Sequence, residues 1–294
     1  MILLIDIGGT NIKYGSMDPK SLIFEKISEM PTNTHVDNFK MEERLFDLIS
    51  DVQITKNIEG IAISSAGIVN AETGEIVYAN KNIPNYRGTK IKKILENKYS
   101  VPVSIENDVN SALMGEIHFG NHGDIHSALM LTIGTGVGGA IYINDDIYHG
   151  YTHSAGEVGY SVLNGENIEE VASTTALVNN VKKRINQENV DGHWVFDQAI
   201  NKGNSVCEEE IERLIRNIVI FISNQVALLN PQLVILGGGI MEQKEFLKPI
   251  INHYFDKIIT NEFIKDNTNI EFASLGNDAG MLGAYKVFEN KYFK

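Results

Sequence analysis

Glycine and hydroxyl residues follow two short apolar runs of this chain. Gly8-Gly9-Thr10-Asn11 comes after residues 1–7, and Gly134-Thr135-Gly136-Val137-Gly138-Gly139 comes after residues 128–133. Glycine has no Cβ and tolerates positive φ, so a turn built from it lets backbone N–H groups close on a ligand. Those dipoles, with the Thr10 hydroxyl, suit a phosphate oxygen. Asp6, just ahead of the first turn, stands where a carboxylate can hold a hydrated Mg2+ beside such phosphates. For the first turn taken alone, a plain hairpin with a capping carboxylate is the alternative. A third cluster, Gly237-Gly238-Gly239, follows an apolar run and precedes a helical pattern, and its flat backbone suits an adenine or ribose face.

Gly134, Gly136 and Gly139 also fit the spacing G-x-G-x-x-G. A dinucleotide site of that kind needs a helix directly after the glycines, with its N-terminus on the pyrophosphate. Residues 140–143, Ala-Ile-Tyr-Ile, read as a strand instead. A second phosphate-binding hairpin is the better reading, and neither a Walker loop nor a protein-kinase loop is present. His118, His122 and His126 are spaced like metal ligands, but Gly120 and Gly123 interrupt the helix that would align them.

The elements that carry these turns follow from periodicity. Strands are expected over 1–7, from Ile12 to Ser16, and over 60–63, 101–105, 128–133, 140–143 and 233–236. Helices are expected over 91–99, 108–116, 168–186, 208–229 and 242–259, with a last one after Gly276-Asn277-Asp278-Ala279-Gly280. Strands alternating with helices define an α/β protein. Strand, Gly-Thr turn and strand recur about half a chain apart, which points to a duplicated architecture of two similar lobes.

Composition narrows the class of function. Of 294 residues, 43% are hydrophobic and 21% charged, which excludes disorder and collagen-like order. With 25 Lys and Arg against 38 Asp and Glu, the net charge of −13 argues against sequence-independent nucleic-acid binding, which needs a concentrated basic surface. One cysteine, Cys207, allows neither an internal disulfide nor a Cys-rich zinc site. The N-terminus lacks a basic leader, and the most apolar stretch is broken by Ser223, Asn224 and Gln225. A cytoplasmic protein without a membrane anchor is expected.

Six motifs stand in order: residues 6–13 (DIGGTNIK), 106–110 (ENDVN), 134–139 (GTGVGG), 155–159 (AGEVG), 236–239 (LGGG) and 276–280 (GNDAG). Together they resemble the ROK family of bacterial sugar kinases and related repressors, within the actin-like ATPase superfamily. The resemblance implies two ribonuclease-H-like α/β domains with a cleft between them, the smaller over 1–112 plus 276–294 and the larger over 113–275. It implies ATP-dependent phosphorylation of a sugar hydroxyl, usually on C6, with Mg2+. Asp108 matches the catalytic base: a hydroxyl is a poor nucleophile, and a carboxylate in reach accepts its proton as the phosphoryl group transfers. The same residue could cap the helix beginning near Val109.

The resemblance assigns sugar hydroxyls to Asn107, Glu157 and Glu169, with Asn82 in a stretch that supplies another contact. For Glu169 a solvated helix face is the bland alternative. Nucleotide contacts fall to Asp6, Gly8, Gly9, Thr10, Asn11, Lys13, Gly134, Thr135, Gly136, Gly138, Gly238 and Gly239. A homodimer is also implied. Repressors of the family carry a DNA-binding arm ahead of the first Gly-Gly-Thr strand, which here begins at Ile2, so the kinase is expected without a nucleic-acid partner.

The chain departs from the family at Tyr160, where most members carry a zinc-binding His, and the following residues 161–167 hold no cysteine. No structural zinc is expected. In relatives that His also touches the sugar near C1 and C2. A Tyr and a shorter loop open space beside the anomeric carbon, as in β-glucoside kinases, with N-acetylmannosamine and glucose kinases as alternatives. A catalytically inactive sugar sensor is the rival from another class.

Overall fold

The structure, a computed structural model, describes residues 1–293. The first apolar run forms β1 (Ile2–Ile7), buried at every position but Asp6. A tight turn leads into β2 (Asn11–Asp18), antiparallel to β1 with Asp6 opposite Lys13, and β3 (Ile23–Pro31) extends the edge. The helix α1 (Met41–Gln53) buries Met41, Leu45, Leu48, Ile49 and Val52, the stripe that a 3.6-residue period places on one face. Then come β4 (Gly60–Ser65), a small hairpin of β5 (Ile68–Asn70) and β6 (Glu75–Tyr78), α2 (Ile91–Tyr99), β7 (Val103–Asn107) and α3 (Asp108–Phe119).

A second pass begins with β8 (Ser127–Ile133), β9 (Val137–Ile143) and β10 (Asp146–Ile147), followed by the short pair β11 (Val162–Leu163) and β12 (Glu166–Asn167). Four helices follow: α4 (Ile168–Ala172), α5 (Thr174–Ile185), α6 (Gly192–Lys202) and α7 (Ser205–Leu229). Then come β13 (Leu233–Gly237), α8 (Lys244–Ile258), α9 (Glu262–Asp266) and β14 (Asn269–Phe272), and the chain ends in α10 (Ala279–Tyr292). The two main sheets have strand orders β3-β2-β1-β4-β7 and β10-β9-β8-β13-β14. In each, an antiparallel meander is followed by parallel strands. The mixed α/β architecture and its duplication are those the sequence pattern implies.

Two compact units result, one of residues 1–123, 149–154 and 274 onward, the other of 124–148 and 155–273. In the first, the sheet is covered on both faces. Leu3, Ile5 and Ile63 pack with α1 and α2, while Ile2, Leu4 and Ala62 pack with Met281, Tyr285 and Phe288 of α10. Burial on both sides explains why β1 reads as a continuous apolar run. The second unit buries Leu129, Leu131 and Val234 against Ile215, Ile218 and Ile222 of α7.

The first unit runs past residue 112, the limit that the family resemblance implies, because α3 packs along its length on α10. A Cβ on Gly283 would lie 1.6 Å from the Ser111 carbonyl oxygen, and one on Gly115 would lie 2.3 Å from that of Ala279. Beyond them Glu116, fully buried, accepts hydrogen bonds from the Ser274 N–H and hydroxyl and from the Leu275 N–H, and pairs with His122 at 2.9 Å. Burial alone would raise its pKa, but the His122 and backbone hydrogen bonds outweigh it and hold the carboxyl below the ordinary glutamate value.

The expected helix over 168–186 is two helices. Ser173 is extended (φ −100°, ψ 165°) and its hydroxyl accepts the Ala176 N–H, so it caps α5 and separates it from α4. Similarly, α7 starts at Ser205, where Asn204 caps the Val206 and Cys207 N–H groups. Among the described residues no helix is long and apolar enough to cross a membrane.

Gly283→Ala forces a methyl group into the Ser111 carbonyl and is expected to lower the free energy of unfolding by about 1–3 kcal/mol. Denaturant unfolding followed by circular dichroism checks this. An unchanged midpoint would show that α3 and α10 separate more easily than their packing indicates.

Candidate active site

The parallel strands of the first unit end in a polar row. Asp6 of β1 pairs with Ser64 of β4, and Ser64 with Glu106 of β7, so the three share one sheet face at the carboxyl ends of the strands. Such ends are where open α/β sheets bind ligands. The Ser64 hydroxyl donates to Asp6 Oδ1 at 2.7 Å, and a Cβ on Gly280 of α10 would lie 3.3 Å from the same oxygen. A side chain at Gly280 would require Ser64 and Asp6 to give way by a few tenths of an ångström. Burial raises the Asp6 pKa, while Ser64 and the Lys13 charge act in the opposite sense. Lys13 Nζ also donates to Asn277 Oδ1 at 3.3 Å.

The first hairpin closes between Gly8 N–H and Asn11 O at 3.0 Å. Thr32 braces it, its hydroxyl donating to Gly8 O at 2.8 Å and its N–H to Thr10 O at 2.8 Å. Thr10 is exposed, and the Asn82 side chain lies 3.5 Å from where a Gly9 Cβ would be. Asp6, Gly8, Gly9, Thr10, Asn11, Lys13 and Asn82 are therefore neighbours in one unit.

Asp108 follows directly after β7, as the first residue of α3. Asn107 is the capping residue: its Oδ1 accepts the Val109 and Asn110 N–H groups at 2.9 and 3.0 Å, and Asp108 Oδ1 also accepts the Val109 N–H at 3.0 Å. Asn107 Nδ2 donates to Gly67 O at 3.0 Å and to Asp108 Oδ1 at 2.9 Å. A side-chain amide has two donors and two acceptor lone pairs, so Asn107 is fully used. In this structure it holds Asp108 and has no further capacity for a sugar hydroxyl. The Asp108 charge also reaches Tyr86, whose pKa is raised by burial and further by Asp108, although the Ser65 hydroxyl 2.8 Å from its own opposes this.

The second unit repeats the hairpin. Gly134 N–H donates to Gly136 O at 2.9 Å, and β9 follows at once, so no helix N-terminus stands where a dinucleotide site needs one. The start of α5 braces this turn instead: Thr174 N–H donates to Gly134 O at 2.8 Å and the Thr175 hydroxyl to Thr135 O at 2.7 Å. Gly238 (φ +96°) packs where a Cβ would meet Ile133 O at 2.3 Å, which sets Gly238 and Gly239 beside the strand that enters the turn.

Glu169 belongs to the hairpin rather than to a bare helix face. Its Oε2 accepts the Val137 N–H at 3.2 Å and would lie 2.1 Å from a Cβ on Gly136. Gly156 (φ +90°) presses on Gly139, where its Cβ would meet the carbonyl oxygen at 2.5 Å, and so delivers Glu157 to the strand that carries Gly138. Desolvation and then the Glu169 charge raise the Glu157 pKa. Tyr160, 66% exposed, ends a short turn over Val158–Tyr160 whose Gly159 lies against Glu169. The β11–β12 hairpin follows.

Metal chemistry is modest here. Among the described residues no group of three His, Cys, Asp or Glu could hold an ion, and the His row is split: His122 pairs with Glu116, His126 with Asp145 and Asp124. Cys207 is buried on α7. A Mg2+ needs less, since it keeps its waters and takes one or two carboxylates plus phosphate oxygens, and the Asp6 carboxylate beside a glycine hairpin is of the type that demand asks for.

The motif reading passes over Ser64, Gly280, Thr174, Thr175 and the pairing of Glu106 with His149. Ser173-Thr174-Thr175 before an apolar run is a helix-start signal, and weighing it separately finds the second brace.

Residues 2–291 match the ROK family. The chain belongs to it. An uncharacterized Clostridium perfringens protein is 43% identical across 100% of this chain and 99% of its own length. A beta-glucoside kinase of Listeria monocytogenes is 30% identical over 99% of both chains. The crystal structure of a ROK family protein from Streptococcus pneumoniae in complex with sucrose superimposes with a TM-score of 0.86, at 29% identity, over 100% of this chain and 99% of its own. This ROK protein thus carries both glycine hairpins and the Asn107–Asp108 cap on the fold of its relatives.

Glu169→Gln keeps an acceptor for Val137 and removes a charge. It is expected to bring the Glu157 pKa down part of the way, since desolvation is the larger cause, as read by NMR titration of the side-chain carboxyl. A Glu157 titration unmoved by Glu169→Gln would contradict the pairing.

Proposed function

We propose that this ROK protein is an ATP-dependent kinase that phosphorylates the C6 hydroxyl of a hexose unit. The observation that supports it most is the Asp108 carboxylate, held by Asn107 at the start of α3 in the unit whose glycine hairpin carries Asp6. Phosphoryl transfer asks little covalent chemistry of the protein: the acceptor must be placed, its proton taken and the phosphate charge balanced. Asp108 takes the proton as the hydroxyl oxygen bonds to the terminal phosphorus and the bond to the leaving phosphate breaks. The two hairpins offer backbone N–H groups to the nucleotide, and Gly238 and Gly239 a flat surface to its base or ribose. Asp6 would hold Mg2+ through water, and the ion supplies neutralising charge at the phosphates.

Glu157, Glu169 and Asn82 are assigned to sugar hydroxyls. Ionised carboxylates accept hydrogen bonds from them, and an analogue lacking one leaves the group unpaired. We assign a β-glucoside such as cellobiose as the preferred substrate. An exposed Tyr160 followed by the short β11–β12 hairpin supports room beside the anomeric carbon, and the beta-glucoside kinase relative agrees with it.

A coupled ADP-release assay with cellobiose, glucose and N-acetylmannosamine is expected to show the highest kcat/KM for cellobiose. No turnover of cellobiose overturns that preference, and no sugar-dependent ADP release at all overturns the kinase in favour of a sensor. Asp108→Asn is expected to lower kcat by about 10²- to 10⁴-fold with sugar affinity, measured by calorimetry, little changed. Full activity in that variant removes Asp108 from the role.

A further inference from the structure

Residues 149–154 lie in the first unit although their chain neighbours on both sides lie in the second. The first side chain of the segment anchors it: His149 Nε2 is 2.7 Å from Glu106 Oε2. Glu106 is 1% exposed and stands two residues before Asp108. Its other oxygen, Oε1, accepts the Asn107 N–H at 2.8 Å and the Asn110 side-chain amide at 2.9 Å. One buried carboxylate therefore ties the backbone of the capping residue, the first turn of α3 and the segment that runs on to Glu157.

A carboxylate this deeply buried persists only while both oxygens have donors. The carboxylate acceptor requires a proton on Nε2 of His149. Without that donor, Oε2 is left unpaired and must turn toward water, which loosens Oε1 from Asn107 and Asn110. The Asn107 side chain that holds Asp108 Oδ1 then loses its own backbone anchor.

We propose that His149 is a positioning residue for phosphoryl transfer, acting through Glu106 and Asn107 to fix the Asp108 carboxylate. The inference rests on the kinase reading of Asp108. His149 touches no reacting atom in this role. It acts as an outer partner that orients the group doing the chemistry, and it joins the Asp108 turn to the residues leading into Glu157.

The test compares His149→Ala and His149→Gln with wild type, using a sugar the wild-type enzyme phosphorylates. Displaced carboxylates and lost outer partners cost about tenfold to a hundredfold in rate, and His149→Ala is expected to lower kcat by that much with KM for ATP unchanged. His149→Gln, whose side-chain N–H replaces Nε2–H, is expected to recover most of the loss. Thermal unfolding of each variant accompanies the kinetics. A His149→Ala enzyme with wild-type kcat overturns the inference, as does a folded His149→Gln no better than the alanine variant. If the alanine variant does not fold, an active His149→Gln supports the inference and a folded, inactive one overturns it. If neither variant folds, His149 is a structural strut and the inference falls. Asp108→Asn run in parallel separates the two readings: its activity lost with His149→Ala intact removes only the role of His149.

Discussion

The first N–H groups of a helix have no partner within it, and at the start of α3 the Asn107 side chain takes two of them while giving its own hydrogens to Gly67 and Asp108. A cap of this kind is worth about 1 kcal/mol to a helix, but its larger effect here is directional. Four hydrogen bonds fix the amide plane, and the amide plane fixes one oxygen of Asp108. Beneath it, Glu106 accepts the Asn107 N–H from a position almost wholly out of water. In the role we propose for Asp108, a base meeting a hydroxyl, this restraint matters because a misplacement of about an ångström costs on the order of 100-fold in rate.

The rest of the first unit places that turn. The strands β1, β4 and β7 run parallel, so their carboxyl ends fall on one edge, and register brings Asp6, Ser64 and Glu106 into one row. Gly280 starts α10 against Asp6, and Gly115 and Gly283 let α3 and α10 touch backbone to backbone. A side chain at Gly115 or Gly283 would push α3 and α10 apart, and one at Gly280 would crowd Ser64 and Asp6. The second unit uses the same plan with different braces: α5 holds its hairpin through Thr174 and Thr175, and Glu169 holds the first residue of β9.

Much of this was legible in the chain before folding was considered. Apolar runs ending in glycine gave β1 and β8 with their hairpins, and the strand pattern after Gly139 ruled out a dinucleotide loop, as β9 shows. The helix over 91–99 is where its periodicity puts it. Other elements hid for physical reasons. The edge strand β3 exposes most of its residues and alternates weakly, and α6 begins at a glycine. The break at Ser173 is a side-chain cap inside an otherwise helical pattern. At the site, the family resemblance points to Asp108 and residue types point to the glycines, but neither shows that Asn107 caps α3 with its oxygen while its hydrogens go to Gly67 and Asp108, nor that Glu106 reaches His149 across 43 positions of sequence. Tertiary hydrogen bonds leave no period to read.

A crystal structure with a non-hydrolysable ATP analogue and cellobiose bound tests the central claim most directly. With Asp108 held as described, one of its carboxylate oxygens is expected about 2.6–3.2 Å from the C6 hydroxyl of the non-reducing glucose, the separation that proton transfer requires. A sugar whose C6 hydroxyl lies out of hydrogen-bond reach of Asp108, with another group accepting its proton, would contradict the account.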